Sequence, residues 1–143
     1  MSYLPYLQSK DAALFVYLAW GTRDGLPVLG DDQVRQAAYL AITMRTRSQL
    51  CQVLAIDGTP GRIHLIVRFP PSLAVSLVAR MAQEAGGAAI AHQSELFHGR
   101  PVFQEMLWER DYTSRTLQQT DAAEAPAYLR RQIAAEYAVQ REH

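Results

Sequence analysis

The sequence is poor in cysteine and lysine and has no long hydrophobic run. Cys51 is the only cysteine and Lys10 the only lysine among 143 residues. One cysteine cannot form an internal disulfide or build a thiolate metal site, which excludes disulfide-stapled secreted scaffolds and zinc ribbons. No segment approaches the roughly twenty apolar residues of a membrane span, and no signal segment opens the chain. We therefore expect a cytoplasmic protein without a membrane segment.

Neither positive nor negative charge is in excess. Fourteen basic residues balance fourteen acidic ones, and the formal net charge is zero. This balance argues against a polybasic nucleic-acid-binding protein, although it permits a local basic face. Hydrophobic residues make up 49% of the chain, which is typical of a globular protein, and its length suits one domain rather than two. We treat residues 1–143 as a single domain.

Four segments have the composition of strands, and three have the periodicity of helices. The predicted strands are 13–20, 50–57, 62–69 and 107–112, of which the first is apolar on both faces and should be central. The predicted helices run from a cap at Asp31 or Asp32 to about Arg47, from a cap at Ser72, and from 120–126 onward. This order predicts an α+β, ferredoxin-like domain, with a four-stranded antiparallel sheet, helices on one face and a further C-terminal helix.

Two places in this fold could carry chemistry. His64 lies in the third strand on the face opposite its apolar residues, with Arg62 and Arg68 beside it to neutralise a phosphate. Tyr128 and Gln132 are four residues apart in the last helix and therefore share a face. From the residues alone, a structural histidine and a packed tyrosine beside a solvent-facing glutamine explain the same pattern.

Four motifs occur in the order typical of one family. They are Thr22-Arg23-Asp24-Gly25-Leu26-Pro27-Val28-Leu29, Arg62-Ile63-His64-Leu65-Ile66-Val67 followed by Pro70-Pro71, Leu107-Trp108 with Tyr112, and Tyr128-Leu129-Arg130-Arg131-Gln132. Through these motifs, residues 22–132 resemble the single-tyrosine transposases of small insertion sequences. These enzymes belong to the HUH nuclease superfamily, which also includes the REP-associated tyrosine transposases.

The resemblance implies a metal-dependent cleavage of single-stranded DNA. In the family, two histidines and a helix glutamine hold Mg²⁺ or Mn²⁺, which polarises the scissile phosphate. The tyrosine attacks the phosphorus, forms a 5′-phosphotyrosine bond and releases a 3′-hydroxyl, and reversal with another strand gives strand transfer. Carried onto this sequence, Tyr128 is the catalytic nucleophile, and His64 and Gln132 are metal ligands.

The resemblance also implies partners, namely single-stranded hairpin DNA and a second copy of the chain in a homodimer. Side chains near the motifs are the candidates for DNA contact, and we expect the acidic residues to lie elsewhere. The DNA-binding candidates are Arg23, Arg62, Arg68, Arg110, Tyr112, Arg115, Arg130 and Arg131.

The sequence departs from the family at Arg62, which stands where the first metal-binding histidine belongs. A guanidinium has donors but no acceptor and stays protonated, so it cannot replace an imidazole as a ligand. No motif supports another residue in this role, although His92 or His98 could approach the ion from a loop. Two alternatives therefore stay open. One is a catalytically inactive DNA-binding remnant or regulator of the same fold, and the other is a ferredoxin-like small-ligand or assembly domain.

Overall fold

Four strands form one antiparallel sheet in the order β2-β3-β1-β4. The computed structural model describes residues 13–94 and 104–142. The strands are β1 Leu14–Gly21, β2 Gln52–Thr59, β3 Arg62–Phe69 and β4 Thr113–Leu117. β1 pairs with both β3 and β4, as its apolar residues on both faces predicted. The predicted α+β, ferredoxin-like architecture is confirmed.

Five α-helices accompany the sheet within the described residues. They are α1 Asp32–Arg47, α2 Val75–Gln93, the short α3 Gln104–Leu107, α4 Gln119–Ala123 and α5 Ala125–Glu142. Asp31 caps α1, because its side chain accepts hydrogen bonds from the backbone N–H groups of Gln33 and Val34. The predicted cap at Ser72 is wrong, since α2 begins at Val75 and no side chain caps it.

The main hydrophobic core lies between one face of the sheet and the pair α1 and α2. Ile63, Leu65 and Val67 of β3 are completely buried there, as their alternation predicted. α2 continues through Gly86, where an added Cβ would stand 3.0 Å from the Ile42 Cδ1 atom. The missing side chain at Gly86 therefore allows α1 and α2 to pack closely.

α5 covers the opposite face of the sheet. A second, smaller core lies beneath it, formed by Tyr17, Ala19, Ile66, Leu117, Ala125, Tyr128 and Leu129. The face of β3 that carries His64 is consequently closed, because His64 is 2% exposed and Ile66 is fully buried. The C-terminal helix thus places the two candidate segments, β3 and the helix with Tyr128, in contact with each other.

The fourth strand lies later in the chain than its prediction. We expected it at 107–112, but Leu107 ends α3, and Trp108 is buried with its indole N–H donating to the Gln83 carbonyl. The strand itself, Thr113–Leu117, is exposed at four of its five residues. An edge strand that buries only its last side chain lacks the apolar alternation from which strands are predicted.

Within residues 13–94 and 104–142, no helix has the length and apolar character needed to cross a membrane.

Candidate functional site

A cavity of about 840 Å³ opens between one end of the sheet and α5. Strands β1, β3 and β4 contribute Tyr17, Arg62, His64 and Arg115 to its wall. α5 contributes residues at four-residue spacing, which lie on one face of the helix. These residues are Gln132, Glu136 and Gln140.

His64 is held from both sides in the wall of this cavity. The Tyr17 hydroxyl lies 2.8 Å from its Nδ1, and a Glu136 carboxylate oxygen, Oε1, lies 2.8 Å from its Nε2. Burial raises the pKa of Tyr17 to about 12, so this phenol keeps its proton at neutral pH. In a neutral His64, Tyr17 therefore donates to Nδ1, and the proton on Nε2 is donated to Glu136.

Glu136 is the carboxylate that contacts this histidine, and 15% of its side chain is exposed. Burial by itself would raise the pKa of Glu136, but the hydrogen bond with His64, the Thr59 side chain and the charge of Arg62 bring it below the ordinary value. The carboxylate is therefore ionised at neutral pH. Its second oxygen, Oε2, is buried and has no hydrogen-bond partner among the described residues.

Arg62 lies at the rim of the cavity with about a third of its side chain exposed. Its Nε is 3.4 Å from Glu136 Oε1, and its Nη2 donates to the Thr113 hydroxyl at 3.2 Å. The guanidinium thus occupies the entrance rather than the interior, beside the ring of His64.

Tyr128 is buried next to the cavity, with 7% of its surface exposed. Its phenolic oxygen accepts a hydrogen bond of 2.7 Å from Arg115, and its ring meets the Tyr17 ring edge to face at 5.5 Å. The Arg131 guanidinium lies 5.7 Å from the centre of the same ring. Tyr128 does not itself line the cavity, but Tyr17 and Arg115, which hold it, both do.

The structure brings together most of the residues predicted for the site. His64, Gln132, Arg62 and Arg115 share the cavity wall. Tyr128 and Arg131 lie directly behind it. Within one chain, the cavity thus brings four of the predicted residues together, and two more lie next to it.

Other predicted DNA-binding residues lie elsewhere. Arg68 is at the opposite end of β3, paired across the sheet with Phe15 and Gln52. Tyr112 packs against the main core. The remaining candidates are exposed but do not line the cavity, and they are Arg23, Arg110 and Arg130.

Sequence reasoning assigned no role at the site to four cavity residues with charged or aromatic side chains, namely Tyr17, Glu109, Glu136 and Tyr137. Tyr17 looked like one more apolar residue of a central strand. Glu136 carries a usable signal, since it follows Gln132 by four residues and Tyr128 by eight. Glu109 also lines the cavity, so the expectation that acidic residues lie elsewhere is wrong. Tyr137 lines the cavity as well, and it is 43% exposed.

The donors at this site partly suit a divalent ion. No group of three His, Cys, Asp or Glu residues capable of holding a metal occurs in the described part of the chain. Among the side chains of the cavity wall are an imidazole, an amide and a carboxylate that a divalent ion could use, from His64, Gln132 and Glu136. The buried, unpartnered Oε2 of that carboxylate is the kind of atom that a cation satisfies.

The sequence model of one family, described as "Transposase IS200 like", matches residues 14–132. The chain belongs to the IS200-like transposase family. The match begins with β1 and ends at Gln132, so it includes the whole sheet and the two predicted segments of the site.

Two solved structures share the fold of this IS200-like transposase. A protein from Deinococcus radiodurans R1, provisionally identified as a transposase, superposes with a TM-score of 0.63 at 17% identity, over 84% of this chain and 91% of the other. A REP-associated tyrosine transposase bound to a REP hairpin superposes with a TM-score of 0.55 at 15% identity, over 78% of this chain and 61% of the other. A comparison with curated proteins finds no match.

Proposed function

We propose that this IS200-like transposase binds single-stranded hairpin DNA and cleaves it with Tyr128 as the nucleophile. The proposal depends on one observation above all. The Tyr128 phenol is held by Arg115 at the edge of the cavity that contains His64 and Gln132. A hydroxyl, a guanidinium and an imidazole gathered in this way suit attack on a phosphodiester.

In the proposed reaction, the Tyr128 oxygen attacks the scissile phosphorus and the bond from phosphorus to the 3′-oxygen breaks. The phenolic proton is lost to solvent, and the leaving oxygen takes up a proton to become the 3′-hydroxyl. The phosphate remains on the tyrosine as a 5′-phosphotyrosine, which another 3′-hydroxyl attacks in strand transfer. Mg²⁺ or Mn²⁺, held by His64 and Gln132, would polarise the phosphate.

Side chains of the cavity suit a single strand. Arg62 and Arg115 present guanidinium groups to phosphates. Tyr137, 43% exposed in the cavity wall, offers an aromatic face on which a base stacks. The neighbour bound to a REP hairpin has the same fold, which supports hairpin DNA as the substrate class. We retain the homodimer as part of this proposal.

The decisive experiment is incubation with hairpin-bearing single strands and Mn²⁺, followed by denaturing electrophoresis. We expect the wild-type protein to form a covalent adduct with the DNA, and Tyr128→Phe to abolish it. Tyr137→Phe, which removes a hydroxyl from the same helix, is the matched control and should retain the adduct. An adduct that persists in Tyr128→Phe would contradict the assignment of the nucleophile.

A second candidate function is binding without cleavage, and Arg62 favours it. Arg62 stands where the family has its first metal-binding histidine, and it forms an ion pair with Glu136. This candidate predicts that hairpin DNA binds with no adduct, with either Mg²⁺ or Mn²⁺. Absence of both binding and adduct would reject both functions and leave the small-ligand or assembly domain.

A further inference from the structure

We propose that Glu136 is the third protein ligand of a divalent cation, in place of the histidine that Arg62 replaces. The ligand set would then be the His64 imidazole, the Gln132 amide and the Glu136 carboxylate. This inference rests on the proposed function for its biological role, but its test is cation binding by the protein without DNA.

The first support is the distance between two of the ligand atoms. His64 Nε2 and Glu136 Oε1 are 2.8 Å apart. Two ligand atoms at right angles on one octahedral ion, each about 2.1 Å from it, are about 3.0 Å apart. The imidazole and the carboxylate are thus close enough for one ion to contact both, in place of the hydrogen bond that now joins them. Binding would use the tautomer of neutral His64 that carries its one proton on Nδ1, which leaves the Nε2 lone pair for the ion.

The second support is the unsatisfied oxygen of the carboxylate. Oε1 faces both His64 and Arg62, whereas Oε2 is buried and makes no hydrogen bond within the described residues. A buried polar atom without a partner is uncommon, and an ion is one of the groups that satisfies it.

The third support is the helix that carries the two other ligands. Gln132 and Glu136 are four residues apart in α5 and both line the cavity that contains His64. Residues at this spacing project from one face of a helix, about one turn apart. One rigid helix therefore presents an amide and a carboxylate to the cavity that contains His64.

The surroundings of His64 suit a metal-bound imidazole. Histidines that ligate metals usually donate their second ring N–H to a neighbouring oxygen, which fixes the orientation of the ring. The Tyr17 hydroxyl lies 2.8 Å from Nδ1 and would accept this hydrogen bond.

The net charge of the site is also consistent with Glu136 as the third ligand in place of a histidine. The family's first histidine is neutral, whereas this chain has a cation at position 62 and an anion at position 136. These two charges cancel, so a site with Arg62 and Glu136 carries the same formal charge as one with a neutral histidine. The exposed part of the Arg62 side chain leaves its guanidinium available to a DNA phosphate at the rim.

The test is a titration of the DNA-free protein with Mn²⁺, followed by calorimetry and by the electron paramagnetic resonance signal of the free ion. We expect the wild-type protein to bind one ion and Glu136→Gln to bind it at least roughly tenfold more weakly. Glu109→Gln removes the same charge from another part of the cavity wall and should change the affinity by less than about threefold. Circular dichroism melting checks that each variant is folded.

A measurement on the wild-type protein avoids any dependence on folding of the variants. Mn²⁺ should broaden the NMR signals of the His64 ring and the Glu136 side chain at substoichiometric concentrations, before those of Glu109. The inference is overturned if the wild-type protein binds no ion, if both glutamate variants weaken binding equally, or if the broadening centres elsewhere. Failure of the proposed function is a separate result, namely loss of hairpin binding and of the Tyr128 adduct.

Discussion

His64 shows how much a single residue of this protein depends on its neighbours. In the sequence it is a polar residue in an apolar strand, with a structural role or a ligand role equally open. In the structure both ring nitrogens have partners, and the side chain is 2% exposed. The partners Tyr17 and Glu136 are 47 and 72 residues away in sequence, so no local pattern connects them to His64.

The hydrogen bond between Tyr17 and His64 should stabilise the protein. Tyr17→Phe leaves a buried ring nitrogen without its partner, and we expect the free energy of unfolding to fall by about 1–2 kcal/mol. Urea denaturation measures this loss, and the ¹⁵N chemical shifts of His64 should change at the same time. Tyr39→Phe is the control, since the Tyr39 hydroxyl is buried without a partner among the described residues. A larger loss for Tyr39→Phe than for Tyr17→Phe would contradict this prediction.

Leu50 is strained and exposed, and its replacement should stabilise the fold. Its φ is +63°, which is unfavourable for a side chain with a Cβ, and 85% of its surface is exposed. Asparagine tolerates this conformation better, so Leu50→Asn should raise the free energy of unfolding by about 0.5–1 kcal/mol. Thermal unfolding measures the gain. Leu40→Asn, an exposed leucine within α1, should not stabilise the protein.

At the scale of elements, the hairpin of β2 and β3 and the helix α5 build the site together. β3 supplies Arg62 and His64, which are two residues apart and therefore point to the same face. α5 supplies Tyr128, Gln132 and Glu136, each four residues after the last. The site exists because α5 packs across the end of this hairpin.

Gly58 determines how closely β2 approaches the part of β3 that carries the site. It pairs with Ile63, and a Cβ at this position would collide with the backbone carbonyl oxygen of Arg62. Backbone cannot move aside as a flexible side chain does, so we expect Gly58→Ala to destabilise the protein by about 2 kcal/mol or more and to shift the amide signals of Arg62 and His64.

The matched control for this substitution is Gly30→Ala. A Cβ at Gly30 would make only an ordinary contact, 3.6 Å from the Pro60 side chain. This variant should unfold within about 0.5 kcal/mol of the wild-type protein. Equal stability of the two alanine variants in urea would show that Gly58 is not needed for the close approach of the strands.

The elements differ in how well the sequence predicts them. β1 and β3 are apolar strands inside the sheet, and α1 has a capping aspartate, so all three were predicted nearly to their ends. β4 was predicted too early in the chain. Because Leu107 and Trp108 are apolar, their pattern predicts strand residues, but they lie outside the strand and fill the main core. The docking of α5 was not predicted, since a helix with an apolar stripe can pack on any apolar face that the fold leaves open.

At the scale of the whole molecule, a neutral chain has a site with charges of both signs. The cavity wall contains Arg62 and Arg115 together with Glu109 and Glu136. Net charge therefore says little about whether DNA binds, because the distance of each arginine from the strand decides its contribution. The small number of arginines at this site does limit how strongly DNA binding should depend on salt concentration.

We expect hairpin DNA binding to have a modest salt dependence. If Arg62, Arg115 and Arg131 each neutralise one phosphate, the logarithm of the association constant should fall with the logarithm of salt with a slope of about −2. This slope corresponds to a loss of roughly 20-fold in affinity between 50 and 200 mM salt, measured by fluorescence anisotropy.

Two arginine variants test which residues produce this slope. Arg115→Gln should reduce its magnitude by about 0.7, the contribution of one phosphate on a single strand. Arg68→Gln should leave it unchanged, because Arg68 lies at the other end of β3. A slope that responds to Arg68→Gln and not to Arg115→Gln would place the DNA on another surface.

The sequence by itself determined the α+β class, the order of the elements, the central position of β1 and the motifs that assign the chain to its family. These features depend on local periodicity and on short motifs, which the order of residues contains directly. The tertiary structure decided that Tyr17, His64 and Glu136 are in contact, that Arg62 faces Glu136, and that Tyr137 faces a cavity. These contacts join residues far apart in the chain, and they arise only when α5 closes the second face of the sheet.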